Sequence, residues 1–335
     1  LIQVNDLRKE FKKTIKSPGL MGSVKSLFNR KYEVVKAVDG VTFEVPEGEI
    51  LGFIGPNGAG KSTVIKMLTG ILTPTSGTLE INGQIPYKDR KKYVKEIGVV
   101  FGQRTQLWWD LPLTETFSVL KQIYQVEDTA YKKRFDFLNE VLDLNEFIKS
   151  PVRTLSLGQR MRADIAASML HNPKVLFLDE PTIGLDVVVK DNIRKAIQEI
   201  NATEKTTIIL TTHDLNDIEL LCKRIVMIDK GKLLYDGSLN KMKRNFGQAR
   251  EVNLTLFHSA DAEKFKFNEN FNIGQDDLHS TIDHKNIKIN FNTDKVTVSE
   301  MLNYILKTSE VRDIAVKDVD IEEIIRRVYK SEVTL

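Results

Sequence analysis

Gly55, Pro56, Asn57, Gly58, Ala59, Gly60, Lys61 and Ser62 fit the pattern G-x-x-x-x-G-K-[ST], followed by Thr63. That spacing suits phosphate. The glycines let the backbone curl so that several N–H groups point at one anion, and a helix starting at Lys61 adds positive partial charge at its N-terminus. Lys61 would neutralise the β- and γ-phosphates of a nucleotide, and the Ser62 hydroxyl would bind Mg²⁺. A second constellation lies downstream, where the apolar run Val175 to Leu178 ends in Asp179 and Glu180. At the end of a buried strand Asp179 would hold Mg²⁺, directly or through water. Glu180, one residue on, points another way and could take a proton from attacking water. The plainer alternative is an acidic strand-to-turn boundary before Pro181; a phosphate loop upstream makes the chemical reading dominate.

Such groups need a sheet to carry them. Glu49 to Ile54 reads as a buried strand and Lys61 to Leu72 as the helix after it; Val175 to Leu178 and Thr207 to Leu210 are two more apolar runs, each followed by a helical segment. Apolar runs bounded by helices predict a parallel sheet covered on its faces. Ile2 to Val4, Val34 to Val38 and Val41 to Val45 read as strands of a smaller antiparallel sheet. The basic segment 12–31, with Pro18, Gly19 and Gly22, reads as an extended surface hairpin or loop, with attraction to anionic lipid as the lesser alternative. Residues 114–171 read as mostly helical, broken at Ser150 and Pro151.

Composition bounds the class. The length of 335 residues predicts about two domains. Lys and Arg number 49 against 46 Asp and Glu, a net +3, which argues against a nucleic-acid partner. No apolar run reaches the length a transmembrane helix needs, and the first ten residues lack the apolar core of a signal peptide. The single cysteine, Cys222, excludes a disulfide framework and a cysteine-based zinc site, and fits a reducing cytoplasm.

With these motifs in hand, residues 1–240 resemble the ATP-binding subunit of an ABC (ATP-binding cassette) transporter. Gly55 to Thr63 is similar to the Walker A loop, Asp179 and Glu180 to Walker B and its catalytic glutamate, and Leu155 to Gln159 to the signature Leu-Ser-Gly-Gly-Gln. Gln103 resembles the Q-loop glutamine, with Gln106 as a substitute because Gly102 adds a residue to the usual approach. Gly184, Leu185 and Asp186 resemble the D-loop, and His213 the switch histidine. Tyr32 stands where the family stacks an aromatic on adenine, with Phe11 the runner-up. Leu157 departs from the signature's first glycine, whereas Gly158 keeps the second.

The resemblance implies a P-loop ABC ATPase fold: a mixed α/β core sheet, an antiparallel β subdomain and an α-helical subdomain. It implies two copies, a homodimer, enclosing two ATP with Mg²⁺, and separate transmembrane permease subunits at the cytoplasmic face of the membrane. Glu180 would be the general base, and His213 would hold the γ-phosphate. Gln103 would bind Mg²⁺ or water beside Ser62 and Asp179, while Ser156, Gly158, Gln159 and Asp186 would complete the site across the dimer. In this family the region beside the Q-loop receives a short helix of the permease, so at least one of Trp108 and Trp109 is expected to line that socket.

Residues 241–335 read as a small α+β accessory domain. Its expected strands are Val252 to Leu256, Ile287 to Phe291 and Val311 to Val316, and its expected helices Thr297 to Leu306 and Asp320 to Tyr329. They are similar to the C-terminal domain of ATPases serving ABC-2-type exporters, as are the stretches 100–112 and 155–162, so export is favoured over import. The competing reading is a non-transport ABC ATPase acting on ribosomes or DNA. Against it stand the single phosphate loop, the neutral charge and the lack of sustained heptads between Lys61 and Ser156.

Overall fold

The structure is a computed structural model and describes residues 2–14, 32–102, 104–246, 249–274, 277–318 and 321–329. Gln103, most of the basic segment 12–31 and Asp320, where the last helix is expected to begin, lie outside the described residues. The chain forms two compact units, residues 1–237 and 238–335.

The first unit is organised by a six-stranded sheet. Its strands are β3 (Ile50–Ile54), β5 (Ile97–Phe101), β6 (Val175–Asp179), β7 (Thr207–Thr211), β8 (Arg224–Asp229) and β9 (Lys232–Ser238), in the order β5-β6-β7-β3-β8-β9. The pairs β5/β6, β6/β7, β7/β3 and β3/β8 are parallel, as the apolar runs of β3, β6 and β7 predict; β5 and β8 are core strands that the sequence reading did not include. β7 is buried at all five positions, which places it mid-core. The helices of this unit are α1 (Lys61–Leu68), α2 (Arg90–Tyr93), α3 (Leu113–Tyr124), α4 (Asp128–Leu142), α5 (Leu157–Met169), α6 (Val187–Glu204) and α7 (Leu215–Leu221). α3, α4 and α5, with a 3₁₀ turn at Val152–Thr154 after Pro151, fill the helical stretch.

A three-stranded antiparallel sheet, β2-β1-β4, completes the unit. β1 (Ile2–Thr14) and β2 (Tyr32–Val45) are longer than expected, and the two short runs at 34–45 are one continuous strand. β4 (Ser76–Ile81) carries no long apolar run, and two of its six residues are buried. The β1/β2 ladder continues to Thr14 opposite Tyr32, so the start of the basic segment is hairpin. Its register slips between Lys9↔Val38 and Glu10↔Lys36, which leaves Ala37 as a bulge.

In the second unit, β10 (Ala249–Leu256), β11 (Leu278–Asp283), β12 (Asn286–Asn292) and β13 (Val311–Asp318) form an antiparallel sheet ordered β11-β12-β10-β13. α8 (Leu239–Phe246), α9 (Phe267–Phe271), α10 (Val298–Thr308) and α11 (Ile321–Tyr329) accompany it. Met301 and Ile305 of α10 join Val252, Leu254, Ile289 and Phe291 in its core. The Thr297–Glu300 capping box forms as the spacing predicts.

Candidate active site

The phosphate loop leaves the end of β3, a strand flanked on both sides by parallel partners. Gly60 sits at φ +108, and a Cβ there would lie 2.5 Å from the Ala37 carbonyl oxygen. The β2 bulge thus drives its carbonyl against the loop, and only glycine fits both the angle and the space. Gly231 N–H donates to the Ala59 carbonyl at 2.9 Å and closes the other side. α1 starts at Lys61 with no side-chain cap, so its first-turn N–H groups carry no side-chain acceptor, as an anion site requires. Lys61 Nζ donates to the carbonyls of Gly55 (2.5 Å) and Pro56 (3.2 Å). Burial lowers the Lys61 pKa, opposed by the charges of Glu180 and Asp179. Pro56, Asn57, Gly58 and Ser62 are exposed, Thr63 is half-buried and Ala59 is buried.

β6 delivers the carboxylates. Asp179 pairs in register with Thr211 of β7, whose hydroxyl donates to Asp179 Oδ1. Glu180 has φ +59, a left-handed conformation that costs a non-glycine residue about 1–2 kcal/mol. Its N–H donates to the Thr211 carbonyl at 2.9 Å, which holds the turn. There its Oε2 accepts from His213 Nδ1 at 2.6 Å, so the two expected catalytic side chains meet. Gly102 lies against this turn: its N–H donates to the Asp179 carbonyl at 2.7 Å, and a Cβ on it would stand 2.1 Å from the Glu180 carbonyl oxygen.

Beneath the pair lies a buried network. Asp217 of α7, with no exposed surface, accepts from the hydroxyls of Thr182 and Thr212 and from Arg194 Nε (2.7 Å) and Nη2 (2.6 Å). Thr182 follows Glu180 by two residues and Thr212 precedes His213, so one carboxylate fixes the loops that carry both residues.

Ser156 caps α5: its Oγ accepts from Gln159 N–H (3.2 Å), and Gln159 Oε1 accepts from Ser156 N–H (3.0 Å). Such a hydroxyl still has its hydrogen to donate. A Cβ on Gly158 would meet Val189 Cγ1 at 2.6 Å, and Leu157 Cδ2 lies 3.3 Å from where a Gly184 Cβ would stand. Leu157 therefore packs the signature turn onto the D-loop of the same chain. Asp186 caps α6 by accepting from Val189 N–H at 3.0 Å. Tyr32 lies at the far end of β2, five positions along the strand from Ala37, whereas Phe11 pairs with Val35, two positions from it. Gln106 turns its amide onto the Asp164 carbonyl at 3.2 Å.

Residues 38–183 match the family described as ABC transporter. The ABC transporter ATP-binding protein NatA of Bacillus subtilis (strain 168) is 31% identical over 215 residues, covering 64% of this chain and 87% of that relative. The chain belongs to the ABC transporter family of ATP-binding proteins. The bacitracin transport ATP-binding protein BcrA of Bacillus licheniformis is 33% identical over 226 residues, 68% of this chain and 72% of that protein. The dimeric, post-hydrolysis ATP-binding cassette MJ0796 bound to ADP and Pi shares the fold with a TM-score of 0.59, at 24% identity over 71% of this chain and 99% of that one. This ABC protein is an ATPase subunit with the expected P-loop cassette fold.

The donor set of the cassette fits a nucleotide with its metal. Among the described residues no cluster of three or more His, Cys, Asp or Glu could hold a metal alone. Ser62 and Asp179 would offer two hard oxygen ligands, as suits an ion that takes its remaining ligands from phosphate and water. Asp164, Arg194, Thr211 and Asp217 escaped the sequence reading, and Gly102 entered it only as an added residue in the Q-loop approach, because each contacts a partner distant in sequence.

Proposed function

We propose that two copies of this chain close on two ATP molecules and drive separate transmembrane permease subunits of an ABC-2-type exporter from the cytoplasmic face of the membrane. The observation that supports it is the Glu180–His213 contact at 2.6 Å, with Glu180 close enough to Lys61 for its charge to act on that ammonium, which suits a base and its partner set near a phosphate cradle. The α1 amides and Lys61 bind the β- and γ-phosphates. Ser62 and Asp179, with Gln103, would hold Mg²⁺, which would supply neutralisation of the charge developing on the phosphates. Glu180 orients water and accepts its proton, and His213 keeps that carboxylate aimed. Ser156 and the amides near Gly158 meet the γ-phosphate of the partner copy, with Gln159 and Asp186 supporting that face. Closure on ATP and opening after hydrolysis are the two states of the switch.

Phe11 is the better-placed adenine platform, because it lies beside the Ala37 bulge that abuts the loop. Phe11→Ala is expected to raise the KM for ATP more than Tyr32→Ala does. Trp108 and Trp109, 40% and 51% exposed, are proposed to line the permease socket. Normal partner binding in the double alanine variant would remove them from that role. Residues 241–335 are proposed to stabilise the dimer, so deletion after Asn240 should weaken self-association and spare ATP binding.

The deciding experiment is a detergent-solubilised pull-down at native expression. Polytopic membrane proteins lacking their own ATPase domain are expected. Ribosomal or DNA-bound partners alone would overturn transport. Reconstituting the recovered complex in vesicles then reads direction, and uptake instead of export would overturn the exporter assignment.

A further inference from the structure

Asp164 is a carboxylate 5% exposed in the middle of the signature helix α5, and nothing in the catalytic reading uses it. Its Oδ1 accepts from the Thr105 hydroxyl at 3.0 Å and from Gln106 N–H at 3.1 Å, and its backbone carbonyl accepts from Gln106 Nε2 at 3.2 Å. Thr105 Oγ1 in turn accepts from Leu107 N–H at 3.1 Å. One turn earlier on the same helix face, Arg160 sits 5.8 Å from the Trp109 ring. The strap continues towards the signature: Arg153 N–H donates to the Trp109 carbonyl (2.9 Å), Arg153 Nη1 to Asp110 (2.9 Å), and Val152 N–H to the Leu111 carbonyl (3.2 Å). Segment 104–112 is therefore fastened along its length to 151–164, the stretch that contains Ser156 and Gly158.

Burial pushes the Asp164 carboxyl up to about 6, against the opposing pull of Gln106 N–H, the Thr105 hydroxyl and Arg160. A buried carboxylate is costly, and an apolar residue would pack into the helix without that cost. What the carboxylate adds is geometry: one oxygen holding two donors of a segment that otherwise runs over the surface.

We propose that Asp164 is a positioning residue that ties the segment after the Q-loop to the signature helix, so that displacement of one on nucleotide binding carries the other. The inference rests on the assignment of 103–106 as the Q-loop region.

The chain carries its own reporter, since its two tryptophans, Trp108 and Trp109, both lie in the strap. The test is made on the full chain with ATP and Mg²⁺, following tryptophan emission and ATPase kinetics in parent, Asp164→Ala and Asp164→Asn. ATP is expected to change parent emission. Asp164→Ala loses two bonds to a charged acceptor, so its kcat is expected to fall about tenfold or more, with KM within about twofold and at least half of the emission change lost. Asp164→Asn keeps an acceptor oxygen and is expected to stay within about threefold of the parent. Parent kcat and emission in Asp164→Ala would overturn the proposal, as would parent emission indifferent to ATP. Equal damage in both variants with raised KM and a lowered melting midpoint would mean a fold defect and also overturn it. A parent that binds ATP without turnover would instead refute the catalytic reading, and the emission titration would still test the strap.

Discussion

His213 Nδ1 donates to Glu180 Oε2 at 2.6 Å, and Glu180 reaches that partner from a left-handed backbone at φ +59. The strain is local and opposed by one bond, Glu180 N–H to the Thr211 carbonyl. A carboxylate held this way can accept a proton from water without first rearranging. Glu180→Gln keeps the size and an acceptor oxygen but not the basicity. It is expected to bind ATP, hydrolyse it about 10²–10⁴-fold more slowly, and accumulate as an ATP-bound dimer. Turnover assays and size-exclusion chromatography with ATP check this; parent-rate turnover would remove Glu180 from its role.

Gly102 occupies space that no other residue can. Its hypothetical Cβ meets backbone, the Glu180 carbonyl oxygen at 2.1 Å and the Asp179 carbonyl oxygen at 3.0 Å, and neither can swing away as a side-chain tip would. Gly102→Ala must therefore move the Glu180 turn or detach the end of β5 from it. The expected result is a kcat lowered by about tenfold or more, the size that follows from a small misplacement of a catalytic group. ATP affinity should change little, because Lys61 and the α1 amides are untouched. An unchanged kcat in a correctly folded variant would show that the turn tolerates the displacement.

The local structure around the candidate-site residues was legible because each motif is short-range: a loop and a helix start at 55–63, a strand end at 179–180, a cap at 156. Of the core strands, β3, β6 and β7 were legible because burial on both faces leaves an unbroken apolar run, whereas β5 and β8, also largely buried, were not read as strands. β4 and β11 escaped for the converse reason, since Ser76–Ile81 and Leu278–Asp283 are mostly exposed and polar. Leu157 read as a flaw in the signature, yet its packing over Gly184 is visible only once the two loops are side by side. The bulge at Ala37 is likewise a property of register between strands, which no single strand's sequence specifies.

Asp217 is the buried acceptor shared by the loops that carry Glu180 and His213. Asp217→Ala would strip Arg194, itself buried, of two short bonds and leave the Thr182 and Thr212 hydroxyls without their acceptor. Removing one member of a buried ion pair costs about 3–5 kcal/mol. Arg194 retains Asp191 and Asp214 nearby, so the low end of that range is expected. Asp217→Asn keeps acceptance from the hydroxyls and should fall between parent and alanine. Urea unfolding reads the stability, and kcat should decline in the same order because Glu180 and His213 lose their shared anchor. Full activity in a destabilised Asp217→Ala would confine the network to folding.

His171, just after α5, supplies a pH test of the fold. Its ring stacks on Tyr124 with centroids 3.8 Å apart, and its Nε2 donates to the Ile97 carbonyl at 3.0 Å. Nδ1 is buried without a partner. Burial, with a smaller contribution from the charge of Arg134, pushes its pKa down to about 4 from 6.5, opposed by the Ile97 bond. Between those values the unfolded chain binds a proton that the folded chain refuses, so this residue's share of stability is present above about pH 6.5 and lost as pH falls towards 4. Asp164, raised to about 6 from 3.8, works the other way: over that interval the folded chain keeps a proton the unfolded chain has released, and its share declines as pH rises. The parent's pH profile therefore mixes two opposed slopes, and a variant is needed to separate them. His171→Phe retains a ring against Tyr124 and cannot titrate. Its urea stability should be less sensitive to acidification from pH 6.5 to 4 than the parent's, by an amount on the order of 3 kcal/mol at one pK unit per 1.36 kcal/mol. Parallel loss of stability in both proteins would show that His171 is not what acid attacks.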